Sequence, residues 1–405
     1  MTMPQTTIQP EIAALKDEIA TYRRAMHENP GTAYEEIFAS DLVAEKLAAW
    51  DIPFVRGLGK TGIVGTITGR GSSSGKAIGL RADMDALDIL EEPNKPYVSK
   101  IAGKMHGCGH DGHTAMLLGA AKYLSQTRNF DGQVHLIFQP AEEGARGANA
   151  MMDDGLFEKF PCDAVYALHN WPGIPRGKMA IRPGPFMAAS DRFKLVIKGR
   201  GGHAAMPDKT IDPIVIAAQI TTAFQGIVSR GVDPVDSAVI SVTNFNAGTG
   251  ADNVIPDTAT LLGSVRSFKP ETRAYLERKI EDVARGIAVA FGADIDFTYR
   301  HIIDPTINDA AAAAFCADIA RSIVGADNVE DDVDPCMGGE DFGAMILDRP
   351  GAYIWVGQGE SDPASNHNQG LHTPRYDFND EIIPLGIAYF AGLVEKSLPL
   401  KGKKT

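Results

Sequence analysis

The stretch KMHGCGHDGH, at 104–113, holds three histidines, a cysteine and an aspartate, several of them separated by glycines. Cys108 and His110 have a single glycine between them, so both side chains can turn toward one point. A cysteine and a histidine together suit zinc or another borderline divalent metal. Taken alone, the stretch is equally compatible with a polar loop, because short histidine-rich motifs often match by chance.

Two adjacent carboxylates follow a predicted buried strand. Glu142 and Glu143 come directly after the apolar segment QVHLIFQP. In α/β sheets, sites form at the ends of strands. One carboxylate of such a pair can bind a metal while the other accepts a proton from water as the general base. The spacing does not say which glutamate has which role, and a solvated acidic loop is the alternative.

Two further histidines are candidate ligands. His169 is predicted to end the apolar strand ALHNW, and His372 lies in the Gly/Pro-rich loop NHNQGLHTPRYDF. Each of them alone is more often a structural residue than a ligand. As a set, however, five donors are too many for one tetrahedral site and suit two metals that share a water molecule. The five candidate metal ligands are Cys108, His110, Glu143, His169 and His372.

Three aspartates are candidates for orienting these ligands by hydrogen bonds, without binding the metal themselves. Asp83 and Asp85 end the predicted strand KAIGLRADMDAL, and they either support the ligands or are simply polar strand ends. Asp111 and His113 either act in the same way or cap the following helix. His27 has no evident partner in the sequence and is interpreted as structural.

The elements that must position these residues alternate between strands and helices. This order predicts an α/β main domain with a central mixed sheet flanked by helices. Between 187 and 302 the order changes to β-α-β-β-α-β, which predicts a small two-layer domain. We therefore expect one domain formed by 1–186 and 303–405, with a second domain inserted at 187–302.

Composition narrows the class of protein. The chain has 405 residues and a net charge of −13, which argues against binding to nucleic acid or to an anionic membrane. The one basic cluster, at 401–404, is interpreted as a solvated terminus. No apolar run is long enough to span a bilayer, and no secretory signal is evident. The four cysteines form no CxxC pair, so we expect a cytoplasmic protein.

Several motifs together resemble those of one enzyme family in their residues and in their order along the chain: RADMDAL, MHGCGHDGHTAMLLGAA, FQPAEEGARGA, ALHNWPG, GRGGHAAMPD and MGGEDFG. They are similar to the amidohydrolase branch of the metallo-aminoacylase and carboxypeptidase family. That branch includes hippurate hydrolases, N-acyl-amino-acid amidohydrolases and plant auxin–amino-acid conjugate hydrolases. The resemblance implies a two-metal hydrolase that cleaves N-acyl-L-amino acids into a carboxylic acid and a free amino acid. It assigns the five donors to the metals and Glu142 to the general base.

The resemblance also implies roles for residues of the inserted domain, which would serve as a lid and a dimerisation surface. It implies that His203 stabilises the oxyanion of the tetrahedral intermediate, often from the partner subunit. It implies that Asn253 and Arg266 bind the substrate carboxylate, for which the guanidinium geometry is suited. From the residue types alone, His203 is a loop histidine and Arg266 a solvated charge. A homodimer or a dimer of dimers is the expected assembly.

Two departures from the family pattern leave the acyl preference open. Asp88 stands where the family usually has a proline after DMDAL, and the segment after EDF lacks the aromatic residues often found there. The two divalent ions are expected to be zinc or manganese, with cobalt and nickel as alternatives, because cysteine favours zinc while mixed oxygen and nitrogen donors tolerate the others.

Three other functions account for parts of the sequence. A dipeptidase or carboxypeptidase of the same broad family would use the same metals on a different substrate. A non-catalytic metal-binding protein would lack the base or a ligand, and neither is missing here. A cysteine hydrolase built on Cys108 would leave the Glu142–Glu143 pair and His372 without a role.

Overall fold

The computed structural model describes residues 6–71, 73–93 and 95–400, so the basic cluster at 401–404 lies outside the described residues. Among the residues described, no helix combines the length and the apolarity needed to cross a membrane. The chain folds into two compact units. Unit 1 comprises Met1–Phe186, Ile307–Asp334 and Asp341–Thr405, and unit 2 comprises Met187–Thr306 and Pro335–Glu340.

The α-helices of the described ranges are α1 (Pro10–Ala13), α2 (Lys16–Glu28), α3 (Ile37–Ala49), α4 (His110–Thr127), α5 (Glu142–Ala145), α6 (Gly147–Asp153), α7 (Leu156–Lys159), α8 (Pro213–Gly231), α9 (Pro270–Ala290), α10 (Ala310–Val324), α11 (Gly343–Asp348) and α12 (Ile383–Ser397). Short 3₁₀ turns lie at Pro207–Lys209, Ala326–Asn328, Asn366–Asn368 and Asp380–Ile382.

The strands are β1 (Phe54–Leu58), β2 (Gly62–Thr68), β3 (Ala77–Asp83), β4 (Gln133–Gln139), β5 (Ala164–Pro175), β6 (Met179–Ala180), β7 (Gly184–Met187), β8 (Ala189–Lys198), β9 (Gly202–His203), β10 (Ala238–Ala247), β11 (Val254–Ile255), β12 (Thr258–Ser267), β13 (Asp294–Ile303), β14 (Thr306–Asn308), β15 (Val329–Glu330) and β16 (Gly351–Gly359).

Unit 1 is built on a mixed eight-stranded sheet, as the alternating pattern predicts. The strand order is β1-β2-β4-β3-β5-β16-β6-β15. The central strands β4, β3, β5 and β16 are parallel to one another. Strands β3 and β16 are buried along their whole length, because helices cover a parallel sheet on both faces. The carboxyl ends of the parallel strands therefore meet at one edge.

Helix α4 lies at the centre of the helical layer of unit 1. Its middle segment, AMLLGAA at 115–121, is entirely apolar, and most of its residues are buried against α2, α12 and the sheet. A helical segment that is apolar all round belongs in a core. Glycine permits the close packing at its start, since a Cβ at Gly112 would lie 2.1 Å from the ring of Phe378. The amino terminus of α4 is thereby fixed beside the strand ends.

Unit 2 is a four-stranded antiparallel sheet with two helices on one face. The strand order is β10-β12-β8-β13. Along β8, Phe193, Leu195 and Ile197 are buried against α8 and α9, while the alternate residues Arg192 and Lys194 are exposed. This alternation follows from the two-residue period of a strand. The second face of the sheet carries polar and charged side chains.

Two details of the sequence interpretation are corrected. The segment EIAALKDEIATYRRAMHENP, whose periodicity predicts one helix that stops at Pro30, is divided into α1 and α2, because the N–H of Leu15 donates to the carbonyl of Ile12 and tightens the chain there. His169 does not end its strand. Strand β5 continues to Pro175 because β16 keeps pairing with it, although pairing with β3 stops at Ala167.

Candidate metal centre

The candidate donors come together where β3, β4 and β5 approach the start of α4. A sharp left-handed turn at Gly109, with φ of 96°, directs the chain from Cys108 into α4. Only glycine fits there, since a Cβ would lie 2.1 Å from Asn170 Oδ1 and 2.5 Å from Tyr376 Oη. The two residues that flank this glycine, Cys108 and His110, are both buried.

A first group of donors is formed by Cys108, His110 and His169. One potential ligand atom of each lies within 4.8 Å of those of the other two. Cys108 Sγ is 3.3 Å from His169 Nε2. The Nδ1 atom of His169 is 2.6 Å from the carbonyl oxygen of Asn170, which fixes the ring and leaves Nε2 as the ligand atom.

A second group is formed by Cys108, Glu143 and His372, again within 4.8 Å of one another. His372 Nε2 lies 3.0 Å from Glu143 Oε1. His372 reaches this position from a left-handed backbone conformation, with φ of 62°, and its N–H donates to the carbonyl of Gly107. The structure thus brings all five predicted donors together, and the two groups share the Cys108 sulfur.

Glu142 lies beside these groups and is buried. It forms a further cluster with His110 and Glu143, and its Oε1 accepts from the backbone N–H of Asp341 at 3.3 Å. The preceding residue, Ala141, has a left-handed φ of 53°. This conformation is uncommon for a residue with a side chain, and it leads the chain from β4 into α5, where both glutamates lie.

Asp83 and Asp85 are both buried and both contact histidines of the site. Asp85 Oδ1 is 3.2 Å from His110 Nδ1, while its Oδ2 accepts from the backbone N–H of Glu143 at 2.9 Å. Asp83 Oδ1 is 2.6 Å from His113 Nδ1. Asp85 therefore contacts two of the candidate donor residues, and Asp83 is more than a polar strand end.

Asp111 points away from the five donors. Its carboxylate is 2.9 Å from His27 Nδ1 and 3.2 Å from Arg23 Nη1, and Glu91 lies on the far side of the same histidine ring, 2.9 Å from Nε2. Its Oδ1 atom also accepts from the backbone N–H of Gly112 in the first turn of α4, at 3.0 Å. Asp111 therefore contacts the start of the helix and also belongs to a buried network with Arg23, His27 and Glu91.

The electrostatics of the site favour a cation. Burial disfavours the charged form of His110, but the carboxylates of Asp83 and Asp85 outweigh burial and raise its pKa to about 10. Burial and the carboxylates of Glu143 and Glu142 raise the pKa of the Cys108 thiol well above its usual value. A thiolate here therefore requires a nearby positive charge to compensate it.

The same electrostatics oppose a cysteine nucleophile. Although Cys108 and His169 are in contact, burial lowers the pKa of His169 well below its usual value, and the neighbouring His113 lowers it further. A thiolate–imidazolium pair needs the opposite arrangement, with a lowered thiol pKa and a protonated histidine. The cysteine-hydrolase alternative is therefore disfavoured.

The donor set fits divalent metal ions. Among the residues that the structure describes, no hydrogen-bond partner exists for the buried His110 Nε2 atom. A buried polar atom without a partner is unfavourable unless something else satisfies it. One thiolate, three imidazoles and a carboxylate are donors that zinc and neighbouring transition metals accept. Two ions, with Cys108 between them, would use every member of both groups.

The three remaining predicted residues belong to unit 2. His203 on β9 and Asn253 are neighbours, since β9 pairs with β11 and Ala204 N donates to the Asn253 carbonyl. Both are exposed, whereas Arg266 on β12 is half-buried. Ala205 N donates to His203 Nδ1 at 3.1 Å, so the neutral ring carries its proton on Nε2, which faces outward as a donor.

Sequence interpretation missed several residues that position the site. The Glu36 carboxylate accepts from the N–H of Ala141 at 3.0 Å and so holds the left-handed turn before Glu142. Asn170 Oδ1 is 2.7 Å from His113 Nε2, and its Nδ2 donates to Tyr376 Oη. Asn170 adjoins a predicted ligand and could have been considered. Glu36 lies outside every motif, and no feature of the sequence around it indicated a role at the site.

The chain is similar to known proteins over most of its length. The profile described as Peptidase family M20/M25/M40 matches residues 79–396. A hippurate hydrolase from Campylobacter jejuni is 43% identical over 389 residues, which cover 96% of this chain and 99% of the relative.

A plant relative and a solved structure extend the comparison. The IAA-amino acid hydrolase ILR1-like 4 of Arabidopsis thaliana is 38% identical over 94% of this chain and 86% of its own. The structure of YXEP from Bacillus subtilis, described as a dinuclear metal-binding peptidase, superimposes with a TM-score of 0.82 at 33% identity, over 95% of this chain and 99% of its own. The donors described above lie in a fold that this relative shares.

Proposed function

The chain belongs to peptidase family M20/M25/M40, and we propose that within it the protein is a metal-dependent amidohydrolase of N-acyl-L-amino acids. The products would be a carboxylic acid and a free amino acid. Relatives named for hippurate and for auxin conjugates support this substrate class, because both substrates join an acyl group to an amino acid through an amide.

The observation that carries the proposal is the sharing of Cys108 by two donor groups. Cys108 with His110 and His169 would hold one divalent ion, and Cys108 with Glu143 and His372 the other. A thiolate between two cations is well compensated for its burial. Zinc or manganese is the proposed metal, with cobalt or nickel as alternatives. When bound, the two ions would polarise the substrate carbonyl and make a bound water more acidic.

Glu142 is proposed as the general base. It is buried beside the donors, yet it belongs to neither group that shares Cys108. From this position its carboxylate would accept a proton from the attacking water and later deliver it to the nitrogen of the leaving amino acid. Asp85 would orient His110 and Glu143, and Asp83 would act through His113.

The residues of unit 2 are proposed to bind the substrate. His203 would donate from Nε2 to the oxygen that becomes negative during attack. Arg266 and Asn253 would bind the carboxylate of the amino-acid half, which would restrict the enzyme to substrates with a free carboxylate. This part of the chain, 187–302, is proposed to close over bound substrate and exclude water.

Unit 2 is also proposed as the surface through which subunits associate into a dimer or a dimer of dimers. Helix α8 exposes Ile214 and Val215, and β10 lies at an open edge of its sheet. Exposed apolar residues beside an unpaired strand are typical of surfaces that another chain covers. All four cysteines are free, which supports a reducing compartment such as the cytoplasm.

The proposal is tested by assaying purified protein on a panel of N-benzoyl, N-acetyl and N-indoleacetyl amino acids and measuring the free amino acid released. We expect release that stops after chelation and returns when zinc or manganese is restored. Dipeptides with a free α-amine serve as the comparison set. Turnover of dipeptides alone would favour the dipeptidase alternative, and turnover that persists without metal would contradict the proposed mechanism.

A further inference from the structure

Three arginines lie together on the open face of the unit 2 sheet. In the β12–β8 ladder, Arg266 lies opposite Ser190, and Ser264 lies opposite Arg192. In the β13–β8 ladder, Arg300 lies opposite Arg192. Residues that face each other across a ladder, and residues two apart along a strand, point to the same side of a sheet. All five side chains therefore share one face, the one that α8 and α9 leave open.

The two serines create space between two of the arginines. Ser190 and Ser264 occupy one diagonal of a square whose other diagonal is Arg192 and Arg266. Diagonal neighbours on antiparallel strands are about 7–8 Å apart, and a serine side chain fills little of the area between them. The square thus has a guanidinium at two opposite corners, exposed at Arg192 and half-buried at Arg266, and a hydroxyl at the other two, half-buried at Ser264 and buried at Ser190.

The positive charge of these arginines is only partly compensated within the protein, by the effect of Asp191 on Arg266. Among the described residues, no carboxylate lies within ion-pairing distance of Arg192, Arg266 or Arg300, although the chain as a whole carries a net charge of −13. The acidic residues of this face, Asp294 and Asp296, stand at its other end, where Lys198 pairs with Asp296. Like charges placed opposite each other are destabilising. An anion bound here would therefore reduce the repulsion between the three arginines.

We propose that Arg192 binds a second carboxylate in the amino-acid half of the substrate, so that the enzyme prefers N-acyl-L-glutamate and N-acyl-L-aspartate to their neutral amides. The inference rests on the proposed function, in which Arg266 binds the α-carboxylate. Two guanidinium groups on one diagonal can each form a bidentate pair with one carboxylate of such a substrate. Ser264, which is half-buried, would contribute a hydroxyl group between them.

The electrostatics of the pair agree with this arrangement. Burial lowers the pKa of Arg266, and the positive charge of Arg192 lowers it further. The two guanidinium groups are therefore close enough to affect each other. A single carboxylate would compensate one of them, whereas a dicarboxylate would compensate both.

The test compares kcat/KM for N-benzoyl-L-glutamate with that for N-benzoyl-L-glutamine, which has the same shape without the second charge. We expect wild-type enzyme to prefer glutamate, and Arg192→Gln to lower this preference by about 10- to 100-fold, the range for a lost hydrogen-bonded charge pair. Arg192→Lys should keep part of the preference. Lys198→Gln is the matched control, because it removes one charge from the same face of the same strand at its ion-paired end, and the preference should not change.

The outcomes separate this inference from the proposed function. Equal turnover of both substrates by wild-type enzyme, or an equal loss on both in Arg192→Gln, would overturn the role of Arg192 and leave the amidohydrolase proposal intact. Failure of the metal-loaded wild-type enzyme to hydrolyse any N-acyl amino acid would remove the proposed function, and the inference with it.

Discussion

Two adjacent glutamates show how local backbone geometry separates chemically identical side chains. The left-handed turn at Ala141, held by Glu36, leads into α5, where carboxylate oxygens of Glu142 and Glu143 lie within 4.8 Å of each other. Glu143 pairs with His372 and belongs to a group that shares the Cys108 sulfur, whereas Glu142 belongs to neither of those groups. Their proposed roles as ligand and base follow from this difference in position.

For single residues, we predict that the same Glu→Gln substitution has different effects at Glu142 and at Glu143. Glu142→Gln should lower kcat by at least about 100-fold, the lower end of the range for general acid–base catalysis, and keep both metal ions. Glu143→Gln should lose about one equivalent of metal, because it removes a charged ligand. Metal content after dialysis and kcat on N-benzoylglycine would be measured together. Similar metal content in both variants would contradict the division of roles.

At the scale of elements, α4 fixes the site because its amino terminus is packed tightly. Gly112 lies in its first turn against Phe378, with no space for a methyl group. In an open helix, alanine is more favourable than glycine by about 1 kcal/mol. Here the clash with a buried ring should dominate, since overpacking a core costs about 1–3 kcal/mol.

We therefore predict that Gly112→Ala destabilises the protein by about 2 kcal/mol, measured as the free energy of unfolding in urea. Gly286→Ala is the control, because Gly286 lies inside α9 where an added Cβ meets nothing within 4 Å. That variant should be as stable as the wild type or more stable. Equal stabilisation by both substitutions would show that α4 can move away from Phe378.

The buried network behind α4 should make stability depend on pH. Burial alone would raise the pKa of Glu91, but the hydrogen bond and charge of His27, with hydrogen bonds from Lys95 and the Ser99 N–H, outweigh burial and lower it to about 2 from an ordinary value of 4.5. A carboxylate with a lowered pKa stabilises the fold above its unfolded pKa, and this stabilisation is lost as the pH falls toward its folded pKa. The relevant window is therefore about pH 4.5 to 2.

Glu91→Gln should then lower the free energy of unfolding at pH 7 by on the order of 2 kcal/mol, and the difference from wild type should shrink as the pH falls below about 4.5. Urea unfolding at several pH values would measure both. Glu45→Gln changes an exposed carboxylate paired with Lys46 and should have an effect below about 1 kcal/mol. A difference that stays constant with pH would mean that Glu91 is not charged in the folded protein.

The sequence predicts the long helices and strands and the candidate metal ligands, but it does not predict the contacts that fix the boundaries of these elements. Elements such as α8 and β8 are predictable because their apolar residues recur with a strong period. The candidate ligands are predictable because cysteine and histidine are residue types that commonly bind metals. The break between α1 and α2 depends on a single tightened hydrogen bond, and the continuation of β5 past His169 depends on pairing with β16. The hydrogen bond at the break is local, between residues three apart, whereas the continuation of β5 has no local sequence signal because it is decided by contacts distant in the chain.

At the scale of the whole molecule, the proposed assembly can be separated from the proposed chemistry. His203 is exposed in unit 2 with Nε2 directed outward as a donor. We propose that it acts on the substrate bound by the partner subunit. Each of the two variants Glu142→Gln and His203→Ala would then have low hydrolytic activity. His203→Ala would lower kcat by about 100- to 1,000-fold. The first variant lacks the base of its own site, and the second lacks the oxyanion donor of the partner's site.

Mixing these two variants under conditions that exchange subunits should restore about a quarter of wild-type activity, because half of the dimers would be mixed and each would have one intact site. The measurement is hydrolysis of N-benzoylglycine before and after mixing, with each variant mixed with itself as the control. A mixture that remains inactive, although mass measurements show mixed dimers, would place His203 in its own subunit's site.

The position of His372 has a consequence for how the protein is made. During translation, Cys108, His110 and His169 leave the ribosome early, and these residues form the first donor group. His372 follows all of unit 2 in the chain, and the second group needs it. Under the two-metal proposal, a nascent or truncated chain that ends before His372 could load one ion, yet it would lack the second ion. Hydrolysis would therefore begin only when synthesis is almost complete.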